Sequence, residues 1–335
     1  MPAPDETRIG GYRLLEPLSR PGTVSSYLAE VIEAVASPGR PTPQVVVKLL
    51  SPRLLEQPAA LERFRHDAAV LSRLQHPNLV RVLGIGQGDQ EGTEGERPFV
   101  AMEYVEGLPL DRLLRQRRLT LQEAFAVFRG ICRGLAHAHE HGVIHRNLRP
   151  RDILVSPDLS VVKLADFGLG RVEALATTGT MNTGALVLGA LPYLAPEVVE
   201  SRGPGSPEPD HRADLYAAGV ILHEMLTGRA PSGRFALPSQ VNAELLPVVD
   251  VLVMKCLSRN PIQRYATALD LLADLDKVEE ASRLRVLSEI RGLTEAGSKL
   301  LGGSPEGGGK RRWGLWVGLL LLLVAIAVVA VLVLR

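Results

Sequence analysis

Three scarcities narrow what this chain is. It has two cysteines in 335 residues, Cys132 and Cys256. Two distant thiols in apolar surroundings leave no disulfide framework and read as buried core residues in a reducing compartment. Neither charge is in excess: the formal net charge is +1. A chain this close to neutral has no global field to draw in nucleic acid or an acidic partner, so no nucleic-acid partner is expected. The opening residues, Met1-Pro2-Ala3-Pro4-Asp5, lack a basic start followed by an apolar run, so no secretory signal is expected. No internal repeat is found.

Long apolar runs are absent until the end. From Trp313 to Leu334 there is no charged residue, and the run is almost entirely Leu, Val, Ala and Ile. At about 1.5 Å per residue it is long enough to cross a hydrocarbon core of roughly 30 Å. Trp313 and Trp316 stand at one end, as interfacial aromatics do, and Lys310-Arg311-Arg312 precede it. The excess of positive charge on that side places everything before residue 310 in the cytoplasm. The expectation is a single-pass, C-terminally anchored membrane protein. Gly314 and Gly318 give a weak small-xxx-small pairing signal at the rim of the span.

The rest divides into an N-terminal tail (1–11), one large domain (12–279), a connector with a Gly-rich linker (280–312) and the apolar span (313–334). Up to about residue 105 the pattern is strands with one main helix. Val45-Val46-Val47-Lys48-Leu49-Leu50 is a β-branched run ending in a lysine, and Leu61–Leu74 has helical spacing, with Phe64, Ala68, Leu71 and Leu74 on one stripe. Beyond residue 108 helical patterns dominate: 121–141, 215–226 and 245–257, with a weaker, mixed-charge pattern over 280–301 that reads as a solvated connector rather than a surface-lying helix.

The chemistry-bearing residues are concentrated in His145-Arg146-Asn147-Leu148-Arg149-Pro150-Arg151-Asp152, followed by Asp166-Phe167-Gly168. This pair resembles the catalytic loop and metal-binding loop of protein kinases, and the motifs appear in kinase order over 12–279. The chain is similar to the bacterial membrane-tethered serine/threonine kinases. The resemblance implies an α+β fold with a β-rich small lobe and a helical large lobe, and ATP with Mg²⁺ as candidate cofactors. It implies that Lys48 grips the α- and β-phosphates with a helix carboxylate, here Asp67, as its partner. It puts Met102-Glu103-Tyr104-Val105 at the hinge, where backbone groups of Glu103 and Val105 would meet adenine, with Val46 crowding the ring. It makes Asp166 and Asp152 the metal ligands. His145, Phe167, Leu71 and Val82 match the apolar spine, Ala195-Pro196-Glu197 and Arg264 a structural ion pair, and Asp214 the buried carboxylate under the catalytic loop.

The departures from the family pattern fall together. Asn147 stands where a carboxylate takes the substrate proton; an amide orients a hydroxyl but has no basic lone pair near neutral pH. The phosphate-covering glycines are Ser19, Pro21 and Val24, with only an off-register Gly22, and Ser26 replaces the valine over the adenine. Val46 replaces an alanine, Arg149 replaces the lysine that steadies the γ-phosphate, and Ala190 replaces a threonine that ties the substrate-facing loop to the catalytic residues. Asp152 keeps oxygen ligation and adds charge. The leading expectation is therefore a catalytically impaired kinase homologue, tethered to a membrane, that works by binding protein partners such as an active kinase or its substrate. The alternative is an active serine/threonine kinase with atypical machinery, using Asp152 or substrate-assisted proton loss. A third is an adaptor that binds no nucleotide. Two smaller readings stay open. His137, His139, His141 and His145 cluster as either structural residues or a metal site. Thr177, Thr178, Thr180 and Thr183 lie where activating phosphorylation occurs, with Arg146 as a candidate phosphate partner.

Overall fold

The computed structural model describes residues 8–19, 24–32, 43–89, 96–167, 191–200 and 208–301. The small lobe is a six-stranded antiparallel sheet built from β1 (Arg8–Ile9), β2 (Tyr12–Pro17), β3 (Val24–Val31), β4 (Gln44–Leu50), β5 (Val82–Asp89) and β6 (Glu96–Glu103). The strand order is β1-β2-β3-β4-β6-β5. The first strand lies upstream of residue 12, where the sequence pattern places the start of the domain.

β4 explains the apolar run around Lys48. Alternate residues point to opposite faces, and both faces of β4 are covered. Val45, Val47 and Leu49 pack with Ile9, Leu14, Ala29, Phe99 and Ala101. On the other face Leu50, with Val46 partly buried, packs with Phe64, Ala68, Val82, Val100 and Met102. Lys48 shares this second face.

Two helices, α1 (Pro52–Leu55) and α2 (Pro58–Leu71), follow β4. The stripe predicts α2 over Leu61–Leu74, but it runs three residues earlier at each end. Pro58 sits in the first turn, where its missing N–H costs nothing. Leu74 is buried all the same, in the turn that follows.

The large lobe begins with β7 (Leu108–Pro109) and α3 (Leu110–Gln116) and is centred on α4 (Leu121–Glu140). Thr120 and Glu123 form a reciprocal capping box that fixes the start of α4. Strands β8 (Ile153–Val155) and β9 (Val162–Leu164) pair with β7 in a small sheet of order β7-β8-β9. Gly130 and Gly134 on α4 let this sheet come close: a Cβ at Gly134 would lie 2.8 Å from Asn78 O and 2.9 Å from Leu164 Cδ1. Helices α5 (Pro196–Glu200), α6 (Arg212–Thr227), α7 (Pro238–Val241) and α8 (Pro247–Cys256) complete the lobe. Gly228, at φ +80°, ends α6 in the left-handed conformation a glycine allows. Cys132 and Cys256 are buried thiols with no exposure and no disulfide between them.

The last described element is α9 (Ala268–Leu301). The chain divides into two compact units, Met1–Leu275 and Asp276–Arg335, and the described part of the second is helical, with Leu284 and Leu287 exposed. Among the described residues no helix is long and apolar enough to cross a membrane; the 313–334 run lies outside them.

Candidate active site

Lys48 is buried on β4, and its ammonium contacts the Asp166 carboxylate, which is 39% exposed. Asp166 holds φ +65°. Aspartate tolerates this left-handed region better than most residues, and the conformation turns the chain directly after β9.

Two ties bring Asp152 and Asp166 together. Ile153 pairs with Leu164 in the β8–β9 hairpin, and the Ala165 N–H donates to Asp152 O at 2.8 Å. Both candidate metal ligands therefore sit at the open end of one hairpin. The Asp166 carboxylate beside the buried Lys48 ammonium offers the hard oxygen a divalent cation carrying phosphate would take.

The Asp152 carboxylate is not free to act as a base. It is buried and accepts the Arg149 N–H at 3.1 Å, with the Arg149 and Arg151 guanidinium Nε atoms at 3.6 and 3.5 Å. Arg149 is itself buried against this carboxylate. The cation expected at the γ-phosphate is thus engaged at residue 152. Asn147 is half-buried two residues before Arg149.

The catalytic loop is held from below by Asp214, a buried residue on α6. The His145 and Arg146 N–H groups donate to its two oxygens, each at 2.7 Å, and His139 Nε2–H donates at 2.9 Å. Burial pushes the Asp214 carboxyl up, but the bond from His139, the nearby imidazoles and the amide bond outweigh it and hold the group below the usual carboxylate range. Arg146 takes φ +69° under this restraint, a strained conformation for a residue with a long side chain. His145 Nε2–H donates to Ala165 O at 2.9 Å, and its ring packs on Phe167 with centroids 4.7 Å apart. One imidazole thereby joins the catalytic loop to the residues flanking Asp166.

The other expected residues are placed as follows. Asp67 lies half-buried on α2, one residue before the buried Ala68. Val46 pairs with Met102 and Leu28 across the sheet. Val105 is buried at the end of the hinge. Glu103 does more than its backbone position suggests. Its Oε1 accepts the Lys163 ammonium at 2.7 Å and the Arg81 N–H at 2.8 Å, so it binds the hinge to β9. A pocket of about 340 Å³ opens beside this pair, lined by Glu103–Glu106, Ser156, Pro157, Val161 and Lys163; none of Lys48, Asp152 or Asp166 lines it.

In the phosphate-covering hairpin, the Ser26 N–H donates to Ser19 Oγ at 2.9 Å and the Leu18 N–H to Ser26 O at 2.8 Å. Serine thus closes the base of a hairpin where a glycine is expected. Pro21, Gly22, Ala190 and the four threonines of 177–183 lie outside the described residues. Arg146 pairs instead with Glu208 at 3.2 Å.

The histidines separate into two groups. His139 and His145 serve Asp214 and Ala165, while His137 stacks on His76 and packs against His141. Among the described residues no group of three or more His, Cys, Asp or Glu is arranged to hold a metal ion. Arg264 forks onto Glu197 at 2.6 and 2.7 Å with no side-chain exposure. Tyr193 Oη–H donates to Glu224 at 2.7 Å, and burial, then this bond, raises the phenol. Neither Glu224 nor Lys163 announces itself in the sequence, because each partner lies tens of residues away.

Residues 29–290 match the family model of the protein kinase domain. The chain belongs to the protein kinase family. It is 36% identical over 252 residues to the serine/threonine-protein kinase PknB of Mycolicibacterium smegmatis, covering 70% of this chain and 39% of that protein. It is 37% identical over 251 residues to PknL of Mycobacterium tuberculosis, covering 70% and 59%. The chain thus spans well under two thirds of these relatives' length. In fold it is similar to the crystal structure of the M. tuberculosis PknI kinase domain, with TM-score 0.60 and 22% identity over 83% of this chain and 99% of that one. The bilobal kinase architecture expected from the motifs is the architecture found.

Proposed function

We propose that this chain is a protein serine/threonine kinase that binds Mg·ATP through Lys48, Asp166 and Asp152 and transfers the γ-phosphoryl group to a protein hydroxyl at a reduced rate. One observation carries the reading: Lys48 and Asp166 are in contact, with Asp166 held in a turn on the same hairpin as Asp152. A site released from nucleotide binding has no need of this arrangement. The bacterial relatives named above, serine/threonine kinases by name, favour the same reading over a purely binding role.

The chemistry tolerates what is missing. Phosphoryl transfer passes through a loose transition state in which positioning and charge neutralisation outweigh proton removal. Replacing the base by Asn147 costs ~10²–10⁴-fold, or about 3–5 kcal/mol of barrier. The Asn147 amide still orients the incoming hydroxyl, and Asp166 and Asp152 would hold a divalent ion supplying charge neutralisation. The 313–334 run would tether the domain to the cytoplasmic face of a membrane.

A second reading, a membrane-tethered scaffold without turnover, is favoured by Asn147 together with the arginine-bracketed Asp152 carboxylate. Labelled ATP, Mg²⁺ or Mn²⁺ and a generic protein substrate separate the two. The kinase reading expects slow labelling that Lys48→Met and Asp166→Ala each abolish. No labelling above those variants refutes it. A thermal shift with Mg·ATP that the same variants remove then identifies a nucleotide-binding scaffold.

A further inference from the structure

The turn after α2 carries a device that the phosphotransfer site does not use. In His76-Pro77-Asn78 the His76 Nδ1 accepts the Asn78 N–H at 3.1 Å. Neutral His76 therefore carries its proton on Nε2. Asn78 is also the link to the catalytic hairpin: its Nδ2 donates to Val162 O at 2.8 Å and its carbonyl accepts the Leu164 N–H at 2.9 Å. The Val80 N–H returns a bond to Leu164 O at 2.9 Å. One turn thus joins the end of α2, which bears Asp67, to β9, which leads into Asp166.

The His76 ring is the end of a column. It stacks on His137 of α4 with centroids 4.9 Å apart and planes at 19°, and His137 lies 4.4 Å from His141. His141 Nδ1–H donates to the His137 carbonyl at 2.8 Å. The charged groups around His76 are mostly of one sign. Arg133 on α4 and Lys163 on β9 are cations, His137 becomes one when protonated, and Glu140 on α4 is the opposing anion. Lys163 is itself paired with Glu103 of β6.

We propose that His76, its turn and the imidazole column form a proton-sensitive latch between α2 and β9, closed when His76 is neutral and released when it is protonated. Protonation places a hydrogen on Nδ1, where the Asn78 N–H already points. An acceptor becomes a donor facing a donor, and the bond that shapes the turn is lost. The same proton sets a cation against His137, Arg133 and Lys163. Burial, then His137 and the two cations, already disfavours the charged imidazole in the closed form. The open turn, with ordinary histidine basicity near ~6.5, binds the proton more readily, so acid favours opening. That opening would also loosen the nucleotide grip rests on the kinase reading above; the latch itself does not.

Hydrogen exchange on the purified full chain in detergent tests it, compared at pH 7.5 and 5.5 after correction for intrinsic exchange. Loss of about one hydrogen bond corresponds to a roughly five- to tenfold fall in protection of residues 72–80 at the lower pH. The core of α8, which carries no histidine, serves as reference and stays unchanged. His76→Asn keeps a side-chain acceptor for the N–H two residues on and cannot titrate, so its protection is expected to be level across the range. If that variant misfolds, His137→Phe keeps a stacked ring without a second titrating group, and a smaller fall than in the native chain is expected. Equal pH response in the native chain and the folded variant, or no response in the native chain, overturns the latch. Labelling by ATP enters neither outcome, so the latch fails or stands separately from the kinase reading.

Discussion

Replacing Asp214 by asparagine tests the central structural argument. The carboxylate is buried and accepts three hydrogen bonds, two from the backbone of His145 and Arg146 and one from His139. An asparagine offers one oxygen and one NH₂, so at least one amide N–H then faces a donor. Breaking a buried charged network of this kind costs about 3–5 kcal/mol. The strained φ of Arg146 also loses its restraint. For a domain of this size about 3–5 kcal/mol lowers Tm by roughly 6–20 °C. The assay is thermal or urea unfolding of the native chain and Asp214→Asn side by side, with Arg13→Gln as control. Arg13 pairs with Glu30 at the surface, where a loss below about 1 kcal/mol is expected. The pH dependence has a definite sign. The Asp214 carboxyl is held below its ordinary value, so its contribution is complete above the unfolded value near ~3.9. It is lost as pH falls through the folded value, and the two unfolding curves converge there. A destabilisation within about 1 kcal/mol of the control, well below the range for a buried network, or a gap that widens in acid, would refute the argument.

Three further outcomes are expected. Gly134→Ala forces a methyl against Asn78 O and Leu164 and lowers stability in urea unfolding by about 1–3 kcal/mol, despite alanine's better helix propensity. Arg264→Met leaves Glu197 without its fork and costs roughly 3 kcal/mol, read as a lower denaturation midpoint with an unchanged slope. Asn147→Asp raises the labelling rate by well short of the ~10²–10⁴-fold that a placed base supplies, because Arg149 remains engaged by Asp152; full recovery in a labelling time course would show that the base alone was missing.

The residues that fix the large lobe were legible because their spacing is local. His145, Asp152 and Asp166 lie within one loop and one hairpin, and a single strand–turn–strand brings them together. Lys48 was legible as the polar end of an apolar run. The α2 limits were less so, since Pro58 sets the start while the stripe continues past the end to a buried Leu74. What the sequence could not convey was what each side chain touches. Asp152 looked like a base or a ligand, and only the packing reveals two arginines bracketing it. Ser19 read as a lost glycine but bonds the Ser26 amide. Glu103 and Lys163 are paired across 60 residues, a separation no local pattern encodes.

The two thiols have a practical consequence. Cys132 on α4 and Cys256 on α8 have no exposure, and burial pushes the Cys256 thiol up to about 12. The Cys256 thiol forms no appreciable thiolate while folded, and neither buried sulfur meets an alkylating reagent until its surroundings open. The native chain therefore carries two built-in clocks on two helices. Equal alkylation rates would report the large lobe coming apart as one cooperative body; unequal rates would name the helix that loosens first.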